Sequence, residues 1–128
     1  MIYSNVKPLV FEKVGNGSVR YHFNIQSEEI VENMGDMEDP ITTTRWKADE
    51  IIVFEPLSVN KFIKAIIDYK YGNGKEEKLI NEYNSAVLDL YDKNTKEEKI
   101  NAYKAFLNDR IALKEQVEND YWSHINSL

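Results

Sequence analysis

The sequence predicts an α+β fold in which a three-stranded antiparallel meander sheet is followed by three α-helices, the last one long. Apolar and polar residues alternate in the first half, turn-forming residues separate the alternating segments, and apolar residues recur at three- and four-residue spacings after Pro56. At 128 residues the chain has the size of a single domain with one core. We therefore expect one α+β domain, with residues 1–56 as the meander and residues 57–128 as the helical part.

The first two predicted strands flank a strong hairpin signal. "PLVFEKV" and "SVRYHFNIQ" lie on either side of "GNG", whose residues tolerate positive φ. A two-residue turn would pair Val10 with Phe23, whereas a three-residue turn with Gly17 in the left-handed region would pair Phe11 with Tyr21, and both registers are compatible with the sequence. In either case the second strand has one buried face, made of Val19, Tyr21, Phe23 and Ile25.

An acidic segment separates the second strand from the third. "SEEIVENMGDMEDP" carries six carboxylates between Glu28 and Asp39, which is typical of a solvated hairpin tip. Pro40 precedes the third strand, "ITTTRWKADEIIVFE". The continuous apolar run 51–54 predicts either a strand covered on both faces or a β-bulge near Glu50.

The second half reads as three helices. Ser58 is a suitable N-cap for the first helix, which "GNG" at 72–74 ends. The segment "KLINEYNSAVLDLYD" follows as the second, with a predicted buried stripe of Leu79, Ile80, Tyr83, Ala86, Val87, Leu90 and Tyr91. Thr95 and Glu98 fit a capping box for a last helix that reaches about residue 123 and is ~42 Å long. A helix of this length projects from the domain, packs against a second copy, or breaks near residues 108–109.

Residue patterns typical of catalytic, metal-binding or phosphate-binding sites are not found in the sequence. Cysteine is absent, and the histidines, His22 and His124, have no metal-ligand partner three or four residues away. The acidic segment lacks the ligand spacing of an EF-hand, and no nucleophile or phosphate-binding motif is present. We therefore expect no catalytic residues, no metal and no cofactor, and hence no enzymatic activity.

Charge and hydropathy narrow the class of partner. The net charge is −6, and residues 1–57 account for the excess with 5 basic and 10 acidic side chains. Nucleic acid is not an expected partner, because its binding depends on neutralised phosphates. No apolar run reaches the length of a membrane span, and the N-terminus does not resemble a signal peptide, so we expect a cytoplasmic protein that does not bind membranes.

Two groups of residues are candidates for protein contacts. Arg45 and Trp46 on the third strand are residue types that anchor interfaces, although Trp46 also fits a core position. Near the C-terminus, a self-association or docking face is predicted on the last helix from Leu113, Val117, Tyr121 and Trp122.

The helical half also carries a resemblance to a known kind of protein. The "KLINEYN-x-A" segment and the "Y-x-x-F-L-x-x-R-x-x-L-K-x-x-V" helix, within residues 60–121, resemble small uncharacterised proteins encoded with virion and tail-region genes of Bacteroides-type phages and prophages. The resemblance implies a structural or assembly accessory role. Such a protein would act by binding protein partners or by self-association as a homo-oligomer. It would be located in the bacterial host cytoplasm or in the virion. The alternative is a small acidic inhibitor of a host defence or nucleic-acid-binding protein, because short acidic phage proteins can imitate the charge of nucleic acid.

Overall fold

The computed structural model of the chain describes residues 1–33, 35 and 39–128, and it confirms the α+β class. The strands are β1 (Ile2–Ser4), β2 (Phe11–Lys13), β3 (Ser18–Glu32) and β4 (Ile41–Phe54). The helices are α1 (Val59–Tyr71), α2 (Lys75–Val87) and α3 (Lys93–His124), followed by a short 3-10 helix, Ile125–Ser127.

The antiparallel sheet has four strands rather than three. Its strand order is β1-β4-β3-β2, so the predicted meander corresponds to β2, β3 and β4. The additional strand, β1, pairs with β4 from Ile2–Ala48 to Ser4–Trp46. A strand of three residues is too short to show an alternating pattern, which is why the sequence does not predict it.

The first hairpin adopts the register of the three-residue turn. Phe11 pairs with Tyr21, and Lys13 pairs with Val19. Gly17 has φ +82°, a left-handed conformation that a residue with a Cβ adopts only with strain. The Asn16 side chain stabilises the turn, because its Oδ1 accepts a hydrogen bond from the Ser18 N–H at 3.1 Å.

The acidic segment begins inside a strand and not in a loop. β3 continues to Glu32 and β4 starts at Ile41, so the two strands pair from Ser18–Phe54 to Glu32–Ile41. A β-bulge interrupts this ladder between Phe23 and Gln26, with Asn24 at φ 53°. The bulge therefore lies on β3 and not on β4 near Glu50. The rest of the predicted hairpin tip, residues 34 and 36–38, lies outside the described residues.

The continuous apolar end of β4 is covered on one face and not on both. Ile51 and Val53 are buried, whereas Ile52 and Phe54 are 50% and 60% exposed. Antiparallel sheets commonly have one buried and one solvated face. The buried hydrophobic side chains of the strands are Phe11, Val19, Tyr21, Phe23, Ala48, Ile51 and Val53.

Two compact units make up the chain. The sheet unit contains residues 1–57 and 124–128, and the helical unit contains residues 58–123. Within the helical unit both α1 and α2 run antiparallel to α3. On α1, Phe62 contacts Tyr121 near the end of α3, and Tyr71 contacts Phe106 near its middle. On α2, Glu76 pairs with Arg110, and Tyr83 stacks on Tyr103, nearer the start of α3.

The helix ends agree with the sequence in one case and correct it in another. Ser58 caps α1 as predicted, since its side chain accepts from the Lys61 N–H at 3.2 Å. The prediction that Thr95 caps the last helix is wrong, because Asp92 Oδ1 accepts from the Thr95 N–H at 2.7 Å and α3 already begins at Lys93. α3 is 32 residues long, ~48 Å, and has no break near residues 108–109.

The predicted stripe of α2 is buried only in part. Ala86 is fully buried, and Leu79, Ile80 and Tyr83 are half-buried. Val87, the last residue of α2, is 51% exposed. Beyond it the chain no longer follows helical spacing, so Leu90 is 70% exposed and Tyr91 is half-buried.

Candidate functional site

The outer part of the β3–β4 ladder forms a two-stranded arm, defined as residues 26–32 of β3 and 41–47 of β4. Within the described residues, β2 pairs with β3 only near its start, and β1 pairs with β4 only at residues 46–48. Beyond these short neighbours, each strand of the arm has one edge whose backbone groups pair with no other strand in residues 1–33, 35 and 39–128. Unpaired strand edges are potential pairing sites for another chain.

Most side chains of the arm are exposed. Val31 is 61% exposed and Ile41 is 46% exposed, and the consecutive residues Thr42, Thr43 and Thr44 are exposed as well. A two-stranded ribbon is marginally stable by itself, so the arm depends on its continuity with the rest of the sheet. Exposed apolar side chains next to free strand edges make the arm a surface suited to protein contacts.

Arg45 lies on the arm, where its positive charge is compensated within the chain. Its Nε donates to Glu28 Oε1 at 2.8 Å, and the guanidinium lies 4.3 Å from the centroid of the Tyr3 ring. Lys47 Nζ lies 3.6 Å from the second carboxylate oxygen of Glu28. The Arg45 hydrogen bond, opposed by desolvation and aided by both positive charges, lowers the pKa of the Glu28 carboxyl. Glu28 and Tyr3 therefore hold the Arg45 side chain in place, and its charge already has a partner in Glu28.

Trp46, the second predicted contact residue on β4, is half-buried. It pairs with Ser4 of β1 and Ser27 of β3, and Lys7 Nζ lies 5.7 Å from its ring centroid. Trp46 therefore lies at the base of the arm, where β1 ends, with part of its ring accessible.

The predicted contact face on α3 separates into buried and exposed residues. Leu113 is 6% exposed and Val117 is fully buried, so both are withdrawn from the candidate surface. Tyr121 is half-buried and contacts Phe62 with a centroid distance of 6.1 Å. Trp122 is 70% exposed and packs edge-on against Tyr121 at 5.1 Å. Of the four residues, Trp122 is the one whose side chain is mostly available to a partner.

A polar cluster joins α1 to α3 in the helical unit. Asp109 accepts a hydrogen bond from the Tyr71 hydroxyl, and Lys70 Nζ lies 2.7 Å from the same carboxylate oxygen. Burial and the Asp109 carboxylate raise the pKa of Tyr71 to about 12. Burial acts to raise the pKa of Asp109, but Lys70 and Tyr71 outweigh it and lower that pKa overall. These groups stabilise one another, and the cluster is structural in character.

His22 is buried, although the alternation of β3 places it on the polar side of the strand. Its Nδ1 lies 2.6 Å from the Leu9 backbone oxygen and its Nε2 lies 2.8 Å from Glu50 Oε2. His22 and Glu50 lie 28 positions apart along the chain, and their direct pairing in the β3–β4 ladder brings them together. With both ring nitrogens engaged, His22 connects the segment before β2 to β4 and is not presented to solvent.

Surface grooves lie in both units of the chain. A groove of 410 Å³ in the sheet unit is lined by residues 7–11 and His124, and one of 320 Å³ in the helical unit contains Glu76, which Arg110 pairs at 3.2 Å. Among the described residues, no group of three or more histidine, aspartate or glutamate side chains is arranged to hold a metal ion. In the same part of the chain, no helix combines the length and apolarity needed to cross a membrane.

Comparison of the chain with protein-family models, with curated proteins and with solved structures gave no match in any of the three. The candidate surfaces therefore rest on the geometry of this chain alone.

Proposed function

We propose that this chain is a non-enzymatic phage or prophage accessory protein that acts in assembly, in the tail region, by binding other proteins. The observation that carries the proposal is the exposed two-stranded arm with free edges on both strands. The resemblance of the helical half to proteins encoded with virion genes supplies the biological setting. The expected location is the cytoplasm of the bacterial host during assembly, and the virion if the protein stays bound.

Two properties of the arm support a binding role. Strand addition supplies affinity through main-chain hydrogen bonds, and side chains on the two faces supply specificity. The arm offers free main-chain groups beside exposed Val31 and Ile41, so a partner strand would also cover apolar surface. Trp122 on α3 is a further exposed aromatic anchor in the helical unit.

Deletion of the gene from the prophage that encodes it tests the assembly role. We expect induced cells to replicate phage DNA normally but to release particles with missing or defective tails, with plaque titres reduced by a factor of 10 or more on all hosts. Complementation with the intact chain should restore the titre. Complementation with a chain in which residues 28–44 are replaced by a short Asn-Gly turn should not.

Other outcomes of the same experiment contradict the proposal. Normal particles at a normal titre from the deletion strain would exclude an assembly role. Normal particles whose titre falls only on hosts that carry a particular defence system would instead support the acidic inhibitor.

A further inference from the structure

We propose that the free edge of β4 in the arm, residues 41–45, pairs with the same edge of a second copy, so that two arms join into a four-stranded antiparallel sheet. This inference rests on the proposed binding role of the arm and names one occupant for it. The two edges of the arm differ in ways that favour strand addition at β4 over strand addition at β3. Two copies of the β4 edge can also pair antiparallel with compatible side chains facing each other.

The β3 edge is protected against strand addition. The bulge at Asn24 interrupts it at the base of the arm, and carboxylates follow at Glu28, Glu29 and Glu32. Bulges and charged side chains are the devices by which sheet proteins prevent pairing at exposed edges. Strand addition at the β3 edge would therefore meet both an irregular backbone and a row of negative charge.

Along residues 41–44 the β4 edge carries no such protection. Ile41, Thr42, Thr43 and Thr44 are exposed, uncharged and β-branched, and the ladder to β3 is regular along all four of them. β-Branched residues favour extended pairing, and threonine pairs across strands contribute hydrogen bonds. The β4 edge is thus unprotected against strand pairing, and its residues also favour strand pairing.

A twofold axis at Thr43 gives a register without opposed like charges. Thr43 then faces Thr43 of the second copy, Thr42 faces Thr44, and Ile41 faces Arg45. Residues directly opposite in an antiparallel ladder share a face of the sheet. No charged residue of one β4 edge opposes a charge of the same sign in the other.

This register also compensates a charge that is unpaired in one copy. Among the described residues Glu32 has no ion pair, and it lies beside Ile41 on the same face of the arm. Arg45 of the second copy would lie on the other side of that Ile41, two strand spacings or roughly 9.6 Å from Glu32. Two long side chains can meet across this distance above the isoleucine, so Arg45 would bridge Glu28 in its own copy and Glu32 in the other.

The limits of the pairing follow from the neighbouring elements. β1 already occupies the β4 edge from Trp46 onward. Pro40 of the second copy would arrive opposite Trp46, and proline has no N–H to extend the ladder. Five residues from each copy therefore pair, which is a small interface, and we expect a dimer with a Kd in the range of about 1 μM to 1 mM.

Charge-swap variants at the proposed axis test the pairing. Sedimentation velocity over about 10 μM to 1 mM should show a concentration-dependent dimer for the natural chain. Thr43→Lys and Thr43→Glu should each be monomeric over this range because like charges face each other, and an equimolar mixture should recover the dimer. Thr43→Val, which keeps the β-branched shape, and Val31→Lys, which adds the same charge on the exposed outer strand β3, are controls that should still dimerise. Circular dichroism should show that all four variants keep the fold, as expected for exposed positions.

Each contrary result overturns the inference. These results are a natural chain that stays monomeric throughout, a dimer that survives both charged substitutions, a mixture that remains monomeric, or a loss of the dimer in Val31→Lys as well. A strict monomer would leave the assembly role to be decided by the phage deletion experiment. A dimer combined with normal particles from the deletion strain would remove the assembly role and keep the paired arms.

Discussion

Tyr71, Lys70 and Asp109 illustrate how single residues acquire properties that their types alone do not predict. Asp109 is one of 22 acidic residues in the chain, and Tyr71 is one of 8 tyrosines. Contact between α1 and α3 places a hydroxyl and an ammonium on the same carboxylate oxygen. The result is a tyrosine with a raised pKa and an aspartate with a lowered one.

The cluster predicts a stability change at both ends of the pH scale. Because the folded pKa of Asp109 is lowered, its contribution is present above the unfolded value near 3.8 and is lost as the pH falls through the folded pKa. The folded pKa of Tyr71 is about 12, so the neutral hydroxyl contributes below its unfolded value near 10, and this contribution is lost as the pH rises from 10 to 12. Urea unfolding from pH 2 to pH 11.5 should show the alkaline loss diminished in Tyr71→Phe and the acid loss diminished in Asp109→Asn.

Tyr69→Phe is the matched control for the alkaline limb, because Tyr69 lies on the same helix two residues before Tyr71 and is 48% exposed. An alkaline profile identical in Tyr71→Phe and in the natural chain would contradict the role given to the Tyr71–Asp109 hydrogen bond.

At the scale of elements, short connections determine where the helices and strands can go. The turn between α1 and α2 allows both helices to run antiparallel to α3. It requires Gly74 at φ +81° and a Gly72 so close to the preceding helix that a Cβ would lie 2.3 Å from the Asp68 backbone oxygen. Gly17 has the corresponding role in the β2–β3 hairpin, where its positive φ closes the three-residue turn.

The two glycines of the helix turn should differ in their response to alanine. Gly72→Ala forces a backbone shift, so we expect it to lower the free energy of unfolding by about 2–3 kcal/mol, at the upper end of the range for overpacked sites. Gly74→Ala meets no atom within 4 Å and is penalised by its left-handed φ alone, about 1–2 kcal/mol. Denaturant titrations followed by circular dichroism measure both values. Equal losses in the two variants would show that the close approach at Gly72 relaxes without cost.

For the molecule as a whole, burial and local stability are expected to vary along the β3–β4 ladder. Val19 and Tyr21 in its inner part are fully buried, whereas the arm exposes Val31 and Ile41. In the part of the chain that the structure describes, the arm has a neighbouring strand only at its base. Local stability follows buried apolar contact and backbone protection. The arm is therefore expected to open far more readily than the inner ladder.

Hydrogen exchange measures this difference directly. At low micromolar concentration, amides in the arm should exchange at least ~10-fold faster than the ladder amides of residues 19–23 and 51–53, since a 1.4 kcal/mol difference in opening free energy already gives that factor. Uniform protection along both strands would contradict an arm that opens independently of the sheet. Asn24→Gly, which keeps the positive φ of the bulge, should leave the pattern unchanged.

Local patterns in the sequence predict the α+β class, the β2–β3–β4 meander, the Ser58 cap and the approximate positions of the three helices. These depend on local periodicity, turn residues and capping, which are properties of neighbouring residues. The sequence predicted a tight hairpin turn at residues 15–17 but left two registers open, and Gly17 was expected in the left-handed region in only one of them.

Contacts between distant segments determine which candidate residues face solvent and which groups meet. β1 is too short to leave a pattern, the acidic residues after Gln26 continue a strand because they pair with residues 41–47, and Leu113 and Trp122 receive opposite exposures on one helix. Strand pairing and burial join residues far apart along the chain, and the apolar and charged patterns of each segment are compatible with several such pairings. For this reason the sequence does not predict the arm, which depends on the pairing of β3 with β4. The proposed function rests on this surface.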